Sequence, residues 1–260
     1  MKRPAKTIIL ACMALVFTSN ALAEEAKPSE KPQSARAARY LPEEEMAAIR
    51  GAAEKGDLKA QFKLSRILYD GKQAPMNLKE AARWAQKSAE AGDENAQVLT
   101  AVFYGAGIGF EPDIKKTEQW VRKAVSKGNP LAQASMGYLY GQGVGVKLDY
   151  KEAFMWLEKS GKAGNPVGQV GLGKAYSDGL GVQKDMIKGY MWLELAAQST
   201  VEAIKAPQKG DWSDMPGILY SKGLLLDNIL SMRSQTGQLM SKAQMEKAEK
   251  LAAEWRKSRK

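Results

Sequence analysis

Four tryptophans, Trp84, Trp120, Trp156 and Trp192, stand 36 residues apart in unbroken succession. A fixed period of about 20–50 residues marks a chain of stacked supersecondary units, each too small to bury its apolar face alone. Three further series keep the same register. They are Gly56, Gly92, Gly128 and Gly164; Gln61, Gln97, Gln133 and Gln169; and Gly71, Gly107, Gly143 and Gly179. Several independent series with one period and no insertion do not arise by coincidence.

Each period reads as two helices. The first opens at Asp57, Asp93, Asn129 and Asn165, residue types whose side chains accept from the free N–H groups of a first helical turn. It ends at the glycine turn around Gly71, Gly107, Gly143 or Gly179. The second opens at Asn77, Asp113, Asp149 and Asp185. In the first three units it closes before Gly92, Gly128 or Gly164, glycines suited to a left-handed C-terminal turn. Two capped helices and two glycine turns per period leave no room for strands. Small residues at Ser65, Ala101, Gly137 and Gly173 sit beside large apolar ones, which lets helix backbones approach closely. The tryptophan in register fills the space between helices. The expected fold is therefore all-α: an α/α superhelical solenoid of 36-residue helix-turn-helix repeats with N- and C-terminal capping helices.

The run Leu172-Gly173-Lys174-Ala175-Tyr176-Ser177-Asp178-Gly179-Leu180-Gly181-Val182 resembles the Sel1-like repeat family, a tetratricopeptide-like group. The pairs Ala60-Gln61, Ala96-Gln97 and Ala132-Gln133, and the tryptophan of the following helix, carry the same resemblance over roughly residues 44 to 199. The end units depart from the pattern. Leu68 replaces the tyrosine and Gln73 the second glycine of the first unit. In the fourth, Gly168 replaces alanine and Thr200 stands where a closing glycine falls. Such departures are normal for the terminal units of an array.

The expected layout follows. Residues 1–23 read as a signal peptide: Lys2, Arg3 and Lys6 precede the apolar stretch Thr7 to Phe17, and Ala21-Leu22-Ala23 offers small residues for cleavage. Ile9-Leu10-Ala11-Cys12 resembles a lipoprotein box, but few apolar residues precede Cys12 and the apolar run continues past it. Cleavage after Ala23 leaves a chain without cysteine, suited to a periplasmic or secreted life with no disulfide to form. It also lowers the formal net charge from +10 to +7, since Lys2, Arg3 and Lys6 are the only charges removed. Residues 24–41 read as a flexible linker rich in Pro, Ser, Ala and charge. The solenoid covers 42–199, with a cap helix at 43–55 and units starting near 57, 93, 129 and 165. Residues 200–216 read as an insertion loop holding Pro207, Lys209, Trp212 and Pro216. Residues 217–260 supply two closing helices, Gly217 to Arg233 and Ser241 to Lys257, whose Ala248, Leu251, Ala252 and Trp255 form an apolar stripe.

Much chemistry is missing. The chain has no histidine and one cysteine, Cys12, so triads built on imidazole, thiol catalysis in the mature chain and His- or Cys-ligated metals are excluded. Gly141-Gln142-Gly143-Val144-Gly145 mimics part of a dinucleotide fingerprint, but it follows a helix, not a strand, and recurs each period. Glu43, Glu44 and Glu45 suit a helix N-terminus better than acid–base work. No catalytic residue, cofactor or metal is expected, and the chain is expected not to be an enzyme. No basic stripe interleaved with aromatics points to nucleic acid, and no segment beyond the signal is long enough to span a membrane.

Binding remains. Stacked helix pairs form a concave wall from their first helices. Counting positions as in tetratricopeptide arrays selects Phe62, Arg66 and Tyr69 in the first unit and Asn95, Val98 and Val102 in the second. It selects Tyr138 in the third and Val170, Lys174 and Asp178 in the fourth. The expected partner is a protein or peptide, and the positive charge suits contact with anionic envelope components. The resemblance implies an interaction scaffold, since members of that family are mostly scaffolds in signalling, envelope assembly, secretion and host contact. It also leaves open an immunity protein that neutralises a toxin and an envelope hydrolase acting on peptidoglycan.

Overall fold

The computed structural model describes residues 40–71, 73–205 and 222–259. The expected signal peptide, nearly all of the linker and most of the insertion loop, including Lys209 and Trp212, lie outside these residues. The described residues form eleven helices and no strand, as the doubled capping series predicts. By its internal contacts the chain divides into two compact units, one ending at Lys127 and the other beginning at Gly128.

The first unit holds α1 (Glu43–Glu54), α2 (Leu58–Asp70), α3 (Leu78–Glu90), α4 (Glu94–Ala106) and α5 (Ile114–Ser126). Helix α1 begins after Pro42 and carries Glu43, Glu44 and Glu45 in its first turn, where negative charge offsets the helix dipole. The other four open on the expected caps. The Asp57 carboxylate accepts from the Ala60 N–H at 3.0 Å, Asn77 from Glu80 at 3.1 Å, Asp93 from Ala96 at 2.7 Å and Asp113 from Lys116 at 3.0 Å. Each such cap contributes about 1 kcal/mol.

The glutamine series ties a first helix to the end of the helix before it. Gln61 Nε2 donates to the Ala53 carbonyl at 2.9 Å and Gln97 Nε2 to the Ala89 carbonyl at 3.3 Å. Each adds a second donor to a carbonyl in the last turn of the preceding helix, which already accepts from the backbone N–H of Gly56 or Gly92. Serines stitch α2 to α3: Ser65 Oγ donates to the Ala81 carbonyl at 2.7 Å, and Ser88 Oγ to the Leu58 carbonyl at 3.1 Å. Leu64, Leu99 and Phe103 are fully enclosed, and Trp120 is 8% exposed. Gly109 shows why the second glycine of the turn is needed. Its φ is +70°, and a Cβ there would strike the Leu78 carbonyl oxygen and lie 2.7 Å from Ala82 Cβ. The turn after α4 therefore rests directly on the start of α3.

The second unit holds α6 (Pro130–Gln142), α7 (Tyr150–Lys162), α8 (Pro166–Asp178), α9 (Met186–Lys205), α10 (Lys222–Gln238) and α11 (Lys242–Lys257). Close helix approach is direct here: a Cβ on Gly137 would lie 2.7 Å from Leu157 Cγ, and one on Gly173 2.6 Å from Leu193 Cγ. Helix α11 opens with a reciprocal capping box between Ser241 and Gln244. Its Ala248 and Ala252 join a core with Leu157, Leu172, Trp192 and Leu195, and the Trp255 ring meets Trp192 edge-on at 5.4 Å.

Two expectations fail at this end. Residues 200–205 are not loop: α9 runs to Lys205. The reason is the absent glycine. Thr200, 2% exposed, donates its hydroxyl back to the Ala196 carbonyl at 2.8 Å and lets the helix continue. Arg256 holds the extension by bonds to Gln198 and Glu202, both at 2.7 Å. The first closing helix ends at Gln238 rather than Arg233, and residues 217–221 lie outside the described set.

Candidate binding face

The expected wall of the first unit rests on α2 and α4. Phe62 and Arg66 are half-buried one helical turn apart, and the Arg66 guanidinium carbon lies 5.7 Å from the Phe62 ring centre. An arginine over an aromatic face is planar, charged and weakly hydrated, properties that suit a contact surface. Asn95 is half-buried at the start of α4.

Three other predicted residues of this unit are not surface. Tyr69 is 7% exposed and stacks on Phe103 with ring centres 5.5 Å apart. Val98 and Val102 are 1% and 4% exposed. They hold the register of Phe62 and Arg66, yet they belong to the core, so they present no side chain to a partner. Phe103 escaped the sequence reading because it lies outside the counted positions. Its ring stacks on Tyr69 across the two first helices.

In the second unit the predicted positions scatter into structural roles. Tyr138 is half-buried, donates to the Val167 carbonyl at 3.3 Å, and burial raises its hydroxyl above the usual tyrosine range. Val170 is 6% exposed and packs with Ala196, Ala197, Leu225 and Ile229. Helix α10 thus covers the position that periodic counting assigned to the wall. Lys174 and Asp178 are exposed and form an ion pair with each other at 2.8 Å.

A groove that the sequence did not reveal lies at the N-terminal end of the first unit. It encloses about 420 Å³ between α1, the end of α2 and the turn into α3, with Met46, Leu68, Pro75 and Met76 among its lining. Arg50 of α1 pairs with Glu80 of α3 beside it, one of the two contacts being 3.3 Å. The Arg50 hydrogen bond holds the Glu80 carboxyl below its ordinary range, and burial opposes it. The same hydrogen bond raises Arg50. Trp84 Nε1 donates to the Glu80 carboxylate at 3.3 Å. Among the described residues no group of His, Cys, Asp or Glu is placed to hold a metal ion, and no helix is long and apolar enough to cross a membrane.

The comparisons agree with this architecture. A crystal structure of a protective antigen present in uropathogenic Escherichia coli strains, displaying an SLR fold, matches with a TM-score of 0.63 and 27% identity over 94% of this chain. This chain spans only 45% of the length of that antigen. The crystal structure of a Sel1 repeat protein from Oxalobacter formigenes matches with a TM-score of 0.57 and 24% identity, covering 72% of this chain and 75% of that one. No curated protein matches. The Sel1 repeat model matches four times in succession, at residues 58–93, 95–129, 130–165 and 166–200. Four matched units of two capped helices, carrying the tryptophan, glutamine and glycine series in one register, make the chain a member of the Sel1 repeat family.

Proposed function

We propose that the protein is a non-enzymatic adaptor of the bacterial periplasm or exterior that holds a protein or peptide partner on the first-helix face of its first unit. Sel1 repeats generally mediate protein–protein interaction, and this supports the class. The observation that carries the location is the Phe62–Arg66 pair, a half-buried aromatic with a guanidinium 5.7 Å from its ring centre. The wall positions of the second unit that remain open, Lys174 and Asp178, satisfy each other. Aromatic and arginine anchors carry about 2 kcal/mol or more at the centre of a binding surface. Export is supported by the charged start, apolar stretch and small-residue site of residues 1–23.

The test is capture from the envelope fraction by the tagged protein, with bound proteins identified by mass spectrometry. Phe62→Ser combined with Arg66→Ala should leave helix content intact and weaken capture by at least about tenfold, equivalent to about 1.4 kcal/mol. A partner retained equally by this variant refutes the placement. A purified protein whose N-terminus is still Met1 refutes processing after Ala23.

A further inference from the structure

The large apolar side chains left exposed within the repeats are not scattered. Met76 (59% exposed), Leu78 (37%), Leu148 (50%), Tyr150 (41%) and Met155 (47%) all lie in the turn before a second helix or in that helix's first half. Met76 and Leu148 share one register position, as do Leu78 and Tyr150, two periods apart. The backbone at these sites is firmly seated. The following glycine turn rests on Leu78 through Gly109 and on Tyr150 through Gly181. The side chains therefore stand on a fixed rim.

Cations flank each set. Lys79, Arg83 and Lys87 are exposed along α3 at successive i+4 steps, one face of the helix. On α7, Lys151, Met155 and Lys159 repeat that spacing, with Lys147 exposed just before the helix. The Lys87 ammonium sits 5.1 Å from the Trp84 ring centre and that of Lys159 4.3 Å from Trp156. Two of the acids nearby are engaged: Glu80 pairs with Arg50, and Asp149 accepts from the Lys151 and Glu152 N–H groups.

We propose that these rims dock the protein peripherally onto an anionic phospholipid bilayer. Each rim is a docking site by itself: Met76 and Leu78 of the first unit enter the headgroup layer while Lys79, Arg83 and Lys87 meet lipid phosphates, and Leu148 and Tyr150 of the second do the same with Lys147, Lys151 and Lys159. Apolar side chains beside a basic helix face are the chemistry of interfacial binding. A folded partner must bury such residues in pockets at matching distances, whereas a fluid surface accepts them without register. The inference does not rest on the adaptor reading, because none of its residues belongs to the Phe62 face.

Vesicle flotation tests it, using the protein as its host processes it. Binding is expected to phosphatidylcholine vesicles that contain phosphatidylglycerol, and not to phosphatidylcholine alone. Two variants separate the contributions: Leu78→Ser with Tyr150→Ser removes the insertion, and Lys79→Glu with Lys151→Glu removes the attraction. All four side chains are exposed, so circular dichroism should be unchanged. Each variant should lower the partition by about tenfold or more, and added salt should weaken what remains in the serine variant. Equal binding to both vesicle types, or wild-type binding by both variants, overturns the proposal. Retention on immobilised polyglutamate without any vesicle binding also overturns it and assigns the rim to an acidic polymer.

Discussion

Replacing Gly109 with alanine brings together two penalties, a left-handed backbone and a blocked Cβ, that Gly128 and Gly137 carry singly. Gly128 has φ +84° and open space where a Cβ would stand. Gly128→Ala therefore pays only for the left-handed backbone, about 1–2 kcal/mol. Gly109 has a similar φ of +70°, but its Cβ would meet the Leu78 carbonyl oxygen and approach Ala82 Cβ to 2.7 Å. Backbone and a short buried methyl cannot step aside as a flexible side chain does, so crowding adds about 1–3 kcal/mol. Gly109→Ala should thus cost about 2–5 kcal/mol in all. Urea unfolding followed by helix ellipticity reads both variants, with the slope of the transition checking that the chain still unfolds as one cooperative unit. If Gly109→Ala costs no more than Gly128→Ala, the turn does not rest on α3 and the reason given for the second glycine is wrong.

Trp120→Ala should cost about 3–5 kcal/mol in the same assay, the range for truncating an enclosed aromatic, because the side chain is 8% exposed. Gln97→Leu, which removes the side-chain bond to an Ala89 carbonyl that still accepts from the Gly92 N–H, should cost about 0.5–1.5 kcal/mol, and Gln133→Leu, on a residue that is only half-buried, should cost less. The Arg50–Glu80 pair should show in pH dependence. Glu80's folded pKa lies below its ordinary value, so its stabilisation is complete above the usual carboxylate range and disappears as pH falls through the folded value. Both partners are about a third exposed, which limits the effect to under about 1 kcal/mol. The gap in urea midpoint between wild type and Glu80→Gln should be present near neutral pH and vanish in strong acid.

Helix boundaries were legible because their causes are local. An Asp or Asn side chain reaches an N–H two or three residues on, and a glycine takes positive φ, with no help from distant parts of the chain. The binding wall was less legible because exposure is a tertiary property. Phe62 and Val98 occupy one register position, yet Phe62 is half-buried and Val98 is 1% exposed. Counting cannot separate them. Val170 failed for a different reason: α10, outside the period, supplies Leu225 and Ile229 against it. The groove beside Arg50 and Glu80 was invisible because those residues are 30 apart in sequence, and no spacing rule connects a cap helix to the second helix of the next unit.

The departures from the repeat pattern carry structural information of their own. Gly109 and Gly181 are needed because each turn rests on the second helix of the unit before it. The first 36-residue repeat has no complete predecessor. Its turn meets instead the short lead-in to α1, where the Leu41 N–H donates to the Gln73 carbonyl at 2.7 Å. Residue 73 then needs no positive φ, and no non-glycine residue among those described has one. Thr200 marks the opposite end by the same logic. A closing glycine turns the chain back into the next first helix, and the fourth unit has no fifth to enter. Its helix therefore extends to Lys205, with Arg256 of α11 bonded to Gln198 and Glu202 on it. Gln73 and Thr200 both fall where a neighbouring repeat is missing, so at these two positions the pattern breaks where its purpose was to meet that neighbour. Extending the stack by one repeat after residue 199 should then require glycine at position 200, and an inserted repeat that folds with Thr200 unchanged would show that the helix stop is set elsewhere.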